Sequence, residues 1–381
     1  MKEHVIVLGG GIIGLSCALE AVRDGRAVTV IESQAFGGQA SGAAAGMLAP
    51  FSENTEQPDP FFRLCLDSLR LYPKWLEKVE GLSGMKAEWL RTGSINAVFH
   101  EADLLPLQTR LTWQSPFTER AELVEGRQLR ELEPLLSREA IAGVYIPEES
   151  HINAPLLVAA LEKACRNAGV TLIEHAGELT EFIVKDFHSV SSEITVGTSR
   201  AGSFQADRIV LCTGAWSGIF ENWFNIPVTV HPIRGQICAY EVPAGFVRHM
   251  VFTSQAYWVG KNNGTLVCGA SEDVAGFDST VTEHGIQRLC RWTSRMMPFL
   301  AGENPVHSWA GLRPATRDGW PLLGRVNGHP NIIMAAGHYR NGILLSPITA
   351  YHVGRLLDGA VNEQLVAFAP ERFASAFRRQ A

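Results

Sequence analysis

The segment "HVIVLGGGIIGLSCALEAVRDGRAVTVIES", His4 to Ser33, constrains the fold more than any other part of the chain. His4 to Leu8 is a β-branched run that predicts a buried strand. Gly9-Gly10-Gly11-Ile12-Ile13-Gly14 matches G-x-G-x-x-G. Helical text follows from Ile12 to Arg23, Asp24-Gly25 ends it, and "AVTVIE" predicts a second strand. Gly9 allows the tight turn, Gly11 lets backbone approach a pyrophosphate, and Gly14 lets helix and strand pack closely. The free N–H groups at the helix N-terminus favour an anion. Glu32 closes the second strand eighteen residues past Gly14, where a carboxylate accepts hydrogen bonds from ribose hydroxyls. Strand, turn, helix and acid in this order predict a dinucleotide-binding βαβ unit. A glycine-rich turn in some other parallel sheet is the plainer alternative.

The rest of the 381 residues can build a core around that unit, since 46% are hydrophobic and 19% charged. The length predicts two domains. A net charge of −6 gives no reason to expect nucleic acid as a partner. The seven cysteines form no C-x-x-C pair, and several lie in apolar runs such as "IVLCTG", so they read as buried thiols in a reducing compartment. No set of residues suggests a metal site. "VIVLGGGIIGLSCAL" carries no charge, but it is short for a membrane span and lacks a basic flank. The expectation is a cytoplasmic protein without a membrane partner.

"GGQASGAAAGMLAP", Gly37 to Pro50, is too glycine-rich for a stable helix and too apolar for a surface loop. It suits backbone lying close against a large flat ligand; a linker is the alternative. "DPFFRLCLDSLRLYPKWLEKV" repeats apolar residues at three- and four-residue steps and predicts a core helix. Asn153 caps another helix, which Gly169 ends. "ADRIVLCTGAWSG" is an apolar strand ending in a turn at Gly214. Residues 228 to 270 change character, with strand runs separated by turn signals such as "KNNGT". They predict an antiparallel second domain.

Two arginines stand out near the C-terminus. Arg313, in "WAGLRPATRDGWPLLG", has apolar flanks and precedes a proline that biases it to extended backbone. A surface salt bridge is its plainer role. Arg340 sits in "AAGHYRNGILLSP", between an apolar strand from Asn331 to Ala336 and an apolar helix from Gly342 to Leu357. A buried guanidinium needs an anionic partner, either from the protein or from a ligand.

Taken together, "VIVLGGGIIGLS", "ASGAAAGMLAP", "IVLCTGAWSG", "VHPIRGQ", "YWVGKNNGTLVCGAS", "WAGLRPATRDGWPLLG" and "AAGHYRNGILLSP" resemble the FAD-dependent D-amino-acid oxidase family, and within it the glycine oxidase branch. The resemblance covers nearly the whole chain. It implies an α/β fold with mixed α+β character: an FAD-binding, Rossmann-like domain of the glutathione-reductase type and an antiparallel-sheet substrate domain. Segments 1–85, 145–218 and 310–381 form the first, and segments 86–144 and 219–309 the second. By resemblance, Ile12, Ile13, Glu32 and Ser33 bind the adenosine diphosphate half of FAD, beside Gly9, Gly11 and Gly14. Ala40, Ser41, Ala45, Gly46 and Met47 line the ribityl chain and flavin. Glu178 touches the cofactor through its backbone, and Gly214 belongs to the turn that closes over it. His338, Tyr339, Arg340, Asn341, Gly342, Ile343 and Leu344 wrap the flavin ring. Arg313 clamps a substrate carboxylate, Tyr257 donates a further hydrogen bond, and Arg340 sits near the same site with a ligand or flavin charge as its partner. Glu272 reads as an exposed turn carboxylate, and Phe51 to Pro60 as a lid.

The implied reaction is oxidative deamination of glycine and other small amines, including sarcosine and small D-amino acids. Hydride leaves the neutral amine for flavin N5, and the imine hydrolyses to an oxo acid (glyoxylate, for glycine) and ammonia. Oxygen reoxidises the flavin and gives hydrogen peroxide. The family also links the imine to thiazole synthesis for thiamine, and relatives form tetramers. No cysteine stands near Arg313 to tether flavin, so FAD is expected to be noncovalent. The alternatives are a D-amino-acid dehydrogenase that reduces a quinone, and a noncatalytic FAD-binding redox protein.

Overall fold

The computed structural model describes residues 2–54, 56–118, 120–186, 193–224 and 228–374. Two large sheets organise it. The first has six strands in the order Leu322–Val326, His329–Ala336, Arg208–Leu211, His4–Leu8, Ala27–Ile31, Thr171–Ile173. All its neighbours run parallel except the pair Leu322–Val326 and His329–Ala336.

Side chains alternate across this sheet with the period of two that a strand imposes. Val5 and Val7 join a core with helices Ile12–Arg23, Pro60–Ser83, Ala154–Asn167 and Gly342–Leu357. Ile6 and Leu8 join the opposite core, which contains a three-stranded sheet of Leu179–Val184, Ile194–Thr198 and Gly202–Ala206. Both faces are covered, as the unbroken apolar text of these strands requires. Asn153 accepts from Leu156 N at 3.3 Å and Asp59 from Phe62 N at 2.7 Å, so each of those helices starts on a side-chain cap.

The second sheet has eight strands: His307–Ala315, His231–Glu241, Thr265–Gly269, Tyr257–Gly260, Met250–Phe252, Ser94–Val98, Ala142–Ile146, Glu122–Glu125. It is antiparallel except between Met250–Phe252 and Ser94–Val98. Cys238, Tyr240, Trp258 and Cys268 point to one face, which helix Glu283–Met296 covers. Ile237, Tyr257, Val259 and Val267 point to the other, toward Ala45 and Ala49. That second face looks into the space between the two large sheets. No helix among the described residues is long and apolar enough to cross a membrane.

Candidate active site

A cavity of about 900 Å³ fills that space. Four parallel strands end at it: Leu8 and Gly9, Ile31 and Glu32, Cys212 and Thr213, and Ala335 and Ala336 all line its wall. Ligands of open α/β sheets bind at such carboxyl ends. The far wall is the eight-stranded sheet, through Gly235, Ile237, Tyr257 and Arg313.

At one end the glycine fingerprint folds as its spacing predicts. Gly9 has a φ of +104°, and a β-carbon there would lie 2.3 Å from the Cys212 carbonyl oxygen. A β-carbon on Gly14 would lie 1.8 Å from Gly9 O, so only glycine lets the helix sit this close to the turn. Gly14 therefore packs beneath the cavity and does not line it, whereas Gly9, Gly11, Ile12 and Ile13 do. Glu32 accepts from Gly10 N at 2.7 Å and from Gln34 N at 2.9 Å. These two backbone donors hold the carboxylate in place and leave it further acceptor capacity for hydroxyl groups. Ser33, Glu178 and Gly214 line the same end. The backbone N–H and C=O of Glu178 both pair with Ser199, at 3.0 and 2.9 Å.

The small-residue run crosses the middle of the cavity as a strap. Ala40, Ser41, Ala45, Gly46 and Met47 all line it. Ser41 Oγ accepts from Ile12 N at 3.0 Å and ties the strap to the first helix. Met47 pairs with His151 in a short antiparallel bridge. Behind the strap lies Lys261, which the sequence presents as part of a turn. It is buried, and its Nζ donates to Ala45 O at 2.6 Å and Ile152 O at 3.1 Å. Burial pushes its ammonium down to about 7.

The two arginines define the other end, and they differ. Arg313 Nη1 donates to Ser271 O at 2.9 Å, and no carboxylate forms an ion pair with it among the described residues. Tyr257 lines the cavity beside it, with a hydroxyl that burial pushes up to about 12, against the opposing field of Arg313. Arg340 is already engaged. Its Nε lies 2.8 Å from Glu53 Oε2, its Nη2 3.1 Å from Glu53 Oε1, and its Nη1 3.4 Å from Glu272 Oε1. Arg340 lines the cavity as expected, and the partners its guanidinium shows there are two carboxylates of the protein, Glu53 and Glu272. Glu272 is also more than an exposed turn residue, since it accepts from Tyr339 OH at 2.9 Å.

The segment expected to be a lid starts as a fixed element. Helix Pro50–Glu53 carries Glu53, and Phe51 N and Ser52 N both donate to the buried Glu149, at 2.7 and 2.8 Å. Thr55, within the same segment, lies outside the described residues. His338, Tyr339, Arg340, Asn341, Gly342 and Ile343 line the cavity at the start of helix Gly342–Leu357. Leu344 does not, contrary to expectation: it is buried in the helical core, where its carbonyl accepts from Ser68 Oγ at 2.6 Å. One residue past Ile343, the helical turn has carried the side chain away from the cavity.

Residues 4–356 match the family described as FAD dependent oxidoreductase, DAO. The chain belongs to this FAD-dependent oxidoreductase family. It is 35% identical over 378 residues to the bifunctional protein ThiO/ThiG of Synechocystis sp., a match that covers 97% of this chain and 54% of that protein. It thus spans about half the length of that relative. It is 33% identical over 359 residues to the glycine oxidase of Geobacillus kaustophilus, covering 94% of this chain and 93% of that protein. The crystal structure of glycine oxidase from Geobacillus kaustophilus superposes with a TM-score of 0.90 at 30% identity, over 97% of this chain and 99% of that one. Glycine oxidase from Bacillus cereus ATCC 14579 superposes with a TM-score of 0.88 at 27% identity, over 96% and 100% of the two chains.

The cavity of this family member fits FAD on its own evidence. The glycine turn leaves no room for side chains, Glu32 offers acceptors beside it, and small residues floor the length between Glu32 and Tyr257. The site also includes lining residues that sequence reasoning passed over, Glu53, Gly235 and Gly311, and Lys261 supports it from behind the strap. Gly235 stands in the quoted run "VHPIRGQ", but nothing in one sequence marks its role.

Proposed function

We propose that the chain oxidises glycine and other small amines, such as sarcosine and small D-amino acids, with noncovalent FAD. Arg313 carries this reading: it is a guanidinium in the cavity wall that pairs with no carboxylate among the described residues, next to a tyrosine that stays protonated. Two such donors suit a substrate carboxylate, which a guanidinium can hold bidentately. The glycine oxidase activity named for the Geobacillus kaustophilus relative supports the choice of substrate.

Bound FAD supplies the two-electron acceptor, and its reoxidation by oxygen yields hydrogen peroxide. The protein's share is binding and orientation. Among the described residues at the Arg313 end, the groups that could act as a base are engaged or weakly basic. Glu53 is held by Arg340, and burial pushes the His338 imidazole down to about 3, although it remains a hydrogen-bond partner of Thr349. This favours loss of hydride from a neutral amine over abstraction of a proton. The imine would hydrolyse to an oxo acid, glyoxylate in the case of glycine, and ammonia. The ThiO/ThiG relative supports a place in thiamine thiazole biosynthesis. The only cysteine lining the described cavity is Cys212, beside Gly9 at the fingerprint end, which supports noncovalent flavin.

In this reading segments 1–85, 145–218 and 310–381 hold the cofactor, and segments 86–144 and 219–309 the substrate. The protein works in the cytoplasm as a homo-oligomer, a tetramer by resemblance. The test of the clamp is Arg313→Ala. The variant should load FAD normally and lose roughly a hundredfold in kcat/KM for glycine, the effect of about 3 kcal/mol of lost ion pairing. A variant with wild-type turnover would overturn it.

A further inference from the structure

We propose that Gly235 and Gly269 are positioning residues, each a bare seat under one group of the carboxylate clamp. The inference rests on the reading of Arg313 and Tyr257 given above, and it adds what holds those two groups in place.

The register puts all four residues on one face of the eight-stranded sheet. Gly235 pairs with Gly311, and Arg313 follows Gly311 by two residues, so its side chain emerges on the same face, diagonal to Gly235. Gly269 stands directly opposite Tyr257 on one side and Ile237 on the other, and Ile237 follows Gly235 by two. This is the face that looks into the cavity.

The clamp groups lie directly on these glycines. A β-carbon on Gly235 would sit 2.3 Å from Arg313 Nη1, 2.4 Å from Cζ and 2.4 Å from Nη2. A β-carbon on Gly269 would sit 2.3 Å from Tyr257 OH, 2.4 Å from Cζ and 2.8 Å from Cε2. Non-bonded carbon contacts settle at roughly 3.5–4.0 Å, so both groups rest on backbone with no space for a methyl group. The Arg313 guanidinium is thus fixed twice, by the Gly235 backbone beneath it and by its bond to Ser271 O at 2.9 Å. Glycine inside a strand weakens the sheet. On the same face Val259 and Val267 show that large side chains fit elsewhere. Two glycines placed under the two clamp groups therefore serve the clamp and not the sheet.

The two positions differ in what a methyl group would displace. At Gly235 the three nearest atoms all belong to the far end of the Arg313 side chain, which can swing away. The fold should survive Gly235→Ala, with the guanidinium displaced. At Gly269 the obstacle is the buried Tyr257 ring, which has less freedom. Gly235→Ala is therefore the variant to test.

The experiment uses the FAD-loaded enzyme with two probes: glycine turnover, and acetate binding read from the flavin absorbance. Gly235→Ala should keep its flavin and its melting temperature, while the glycine KM and the acetate Kd both rise by about tenfold or more. In an Arg313→Ala background the same change should add less than about twofold, because the guanidinium it displaces is gone. A Gly235→Ala enzyme with wild-type KM and acetate Kd overturns the seat. So does a tenfold loss that persists in full when Arg313 is absent. If Gly235→Ala alone is unstable, recovery on adding Arg313→Ala supports the proposal, and no recovery overturns it. If Arg313→Ala itself binds acetate as tightly as wild type, the clamp reading fails, and that failure is read before Gly235 is touched.

Discussion

At the scale of single residues, the two arginines show what one sequence can and cannot disclose. Arg313 was legible because Leu312 and Pro314 mark it as a strand residue with apolar neighbours. Arg340 was equally visible, but its partner was not. Glu53 lies 287 positions away, and only the folded chain brings them together. The pair holds Arg340 firmly protonated, the Glu53 carboxylate being the largest cause. The Glu53 side chain is 5% exposed and that of Arg340 39%, so the pair is only partly screened by solvent. Arg340→Met should strand the Glu53 carboxylate and cost about 1–2 kcal/mol, less than a fully buried pair would. Adding Glu53→Gln should return most of that loss in urea denaturation of the FAD-loaded protein. Additive losses in the double variant would show that the two side chains act independently.

At the scale of elements, legibility followed locality. The strand, glycine turn, helix and acid of His4 to Glu32 were readable because their contacts are set by spacing along the chain. The helix Gly342–Leu357 and the strand before it were readable for the same reason. The small residues of the strap marked it in the sequence as neither a helix nor a surface loop, and it lines the cavity, but its support left no such mark. Lys261 follows a strand in "VGKNNG", which reads as a solvent-exposed turn, yet the chain buries it to hold the Ala45 and Ile152 carbonyls. Lys261→Met keeps the length of the side chain and removes both hydrogen bonds. It should raise the FAD dissociation constant by up to about thirtyfold, since each of the two carbonyls loses a partner worth about 1 kcal/mol. Fluorescence titration of the apoprotein with FAD measures this. An unchanged constant would mean that backbone pairing alone, such as Met47 with His151, fixes the strap.

At the scale of the whole molecule, the sequence foretold two kinds of sheet but not how many strands they share or that the cavity lies between them. Pairings such as Met250–Phe252 with Ser94–Val98 join distant segments and leave no local mark. Burial across the whole fold also sets the response to acid. Burial pushes the His151, His338 and His352 imidazoles down to about 2, about 3 and about 4, with Lys261 adding to the effect on His151. The unfolded chain protonates them near pH 6.5 and the folded one does not, so their stability is full above that pH and is lost as it falls. Glu149 opposes them. Burial pushes its carboxyl up to about 7, so the folded state holds a proton there that the unfolded state releases down to about 4.5. Three groups against one leave a net loss of roughly 3 kcal/mol per pH unit at most. The melting temperature should therefore fall by several degrees between pH 6.5 and 5.5. A melting temperature that holds or rises over that interval would contradict the burial of these histidines in neutral form.

Chemistry at Arg313 and Tyr257 is tested anaerobically. The purified yellow protein is mixed with glycine in the absence of oxygen and its flavin absorbance is followed; oxygen is then admitted and peroxide assayed. The expected result is bleaching, then recolouring with peroxide in proportion to the glycine consumed. Bleaching without recolouring on admission of oxygen would contradict the oxidase assignment and point to another acceptor. Flavin that neither glycine, sarcosine nor a small D-amino acid bleaches would contradict that chemistry as a whole.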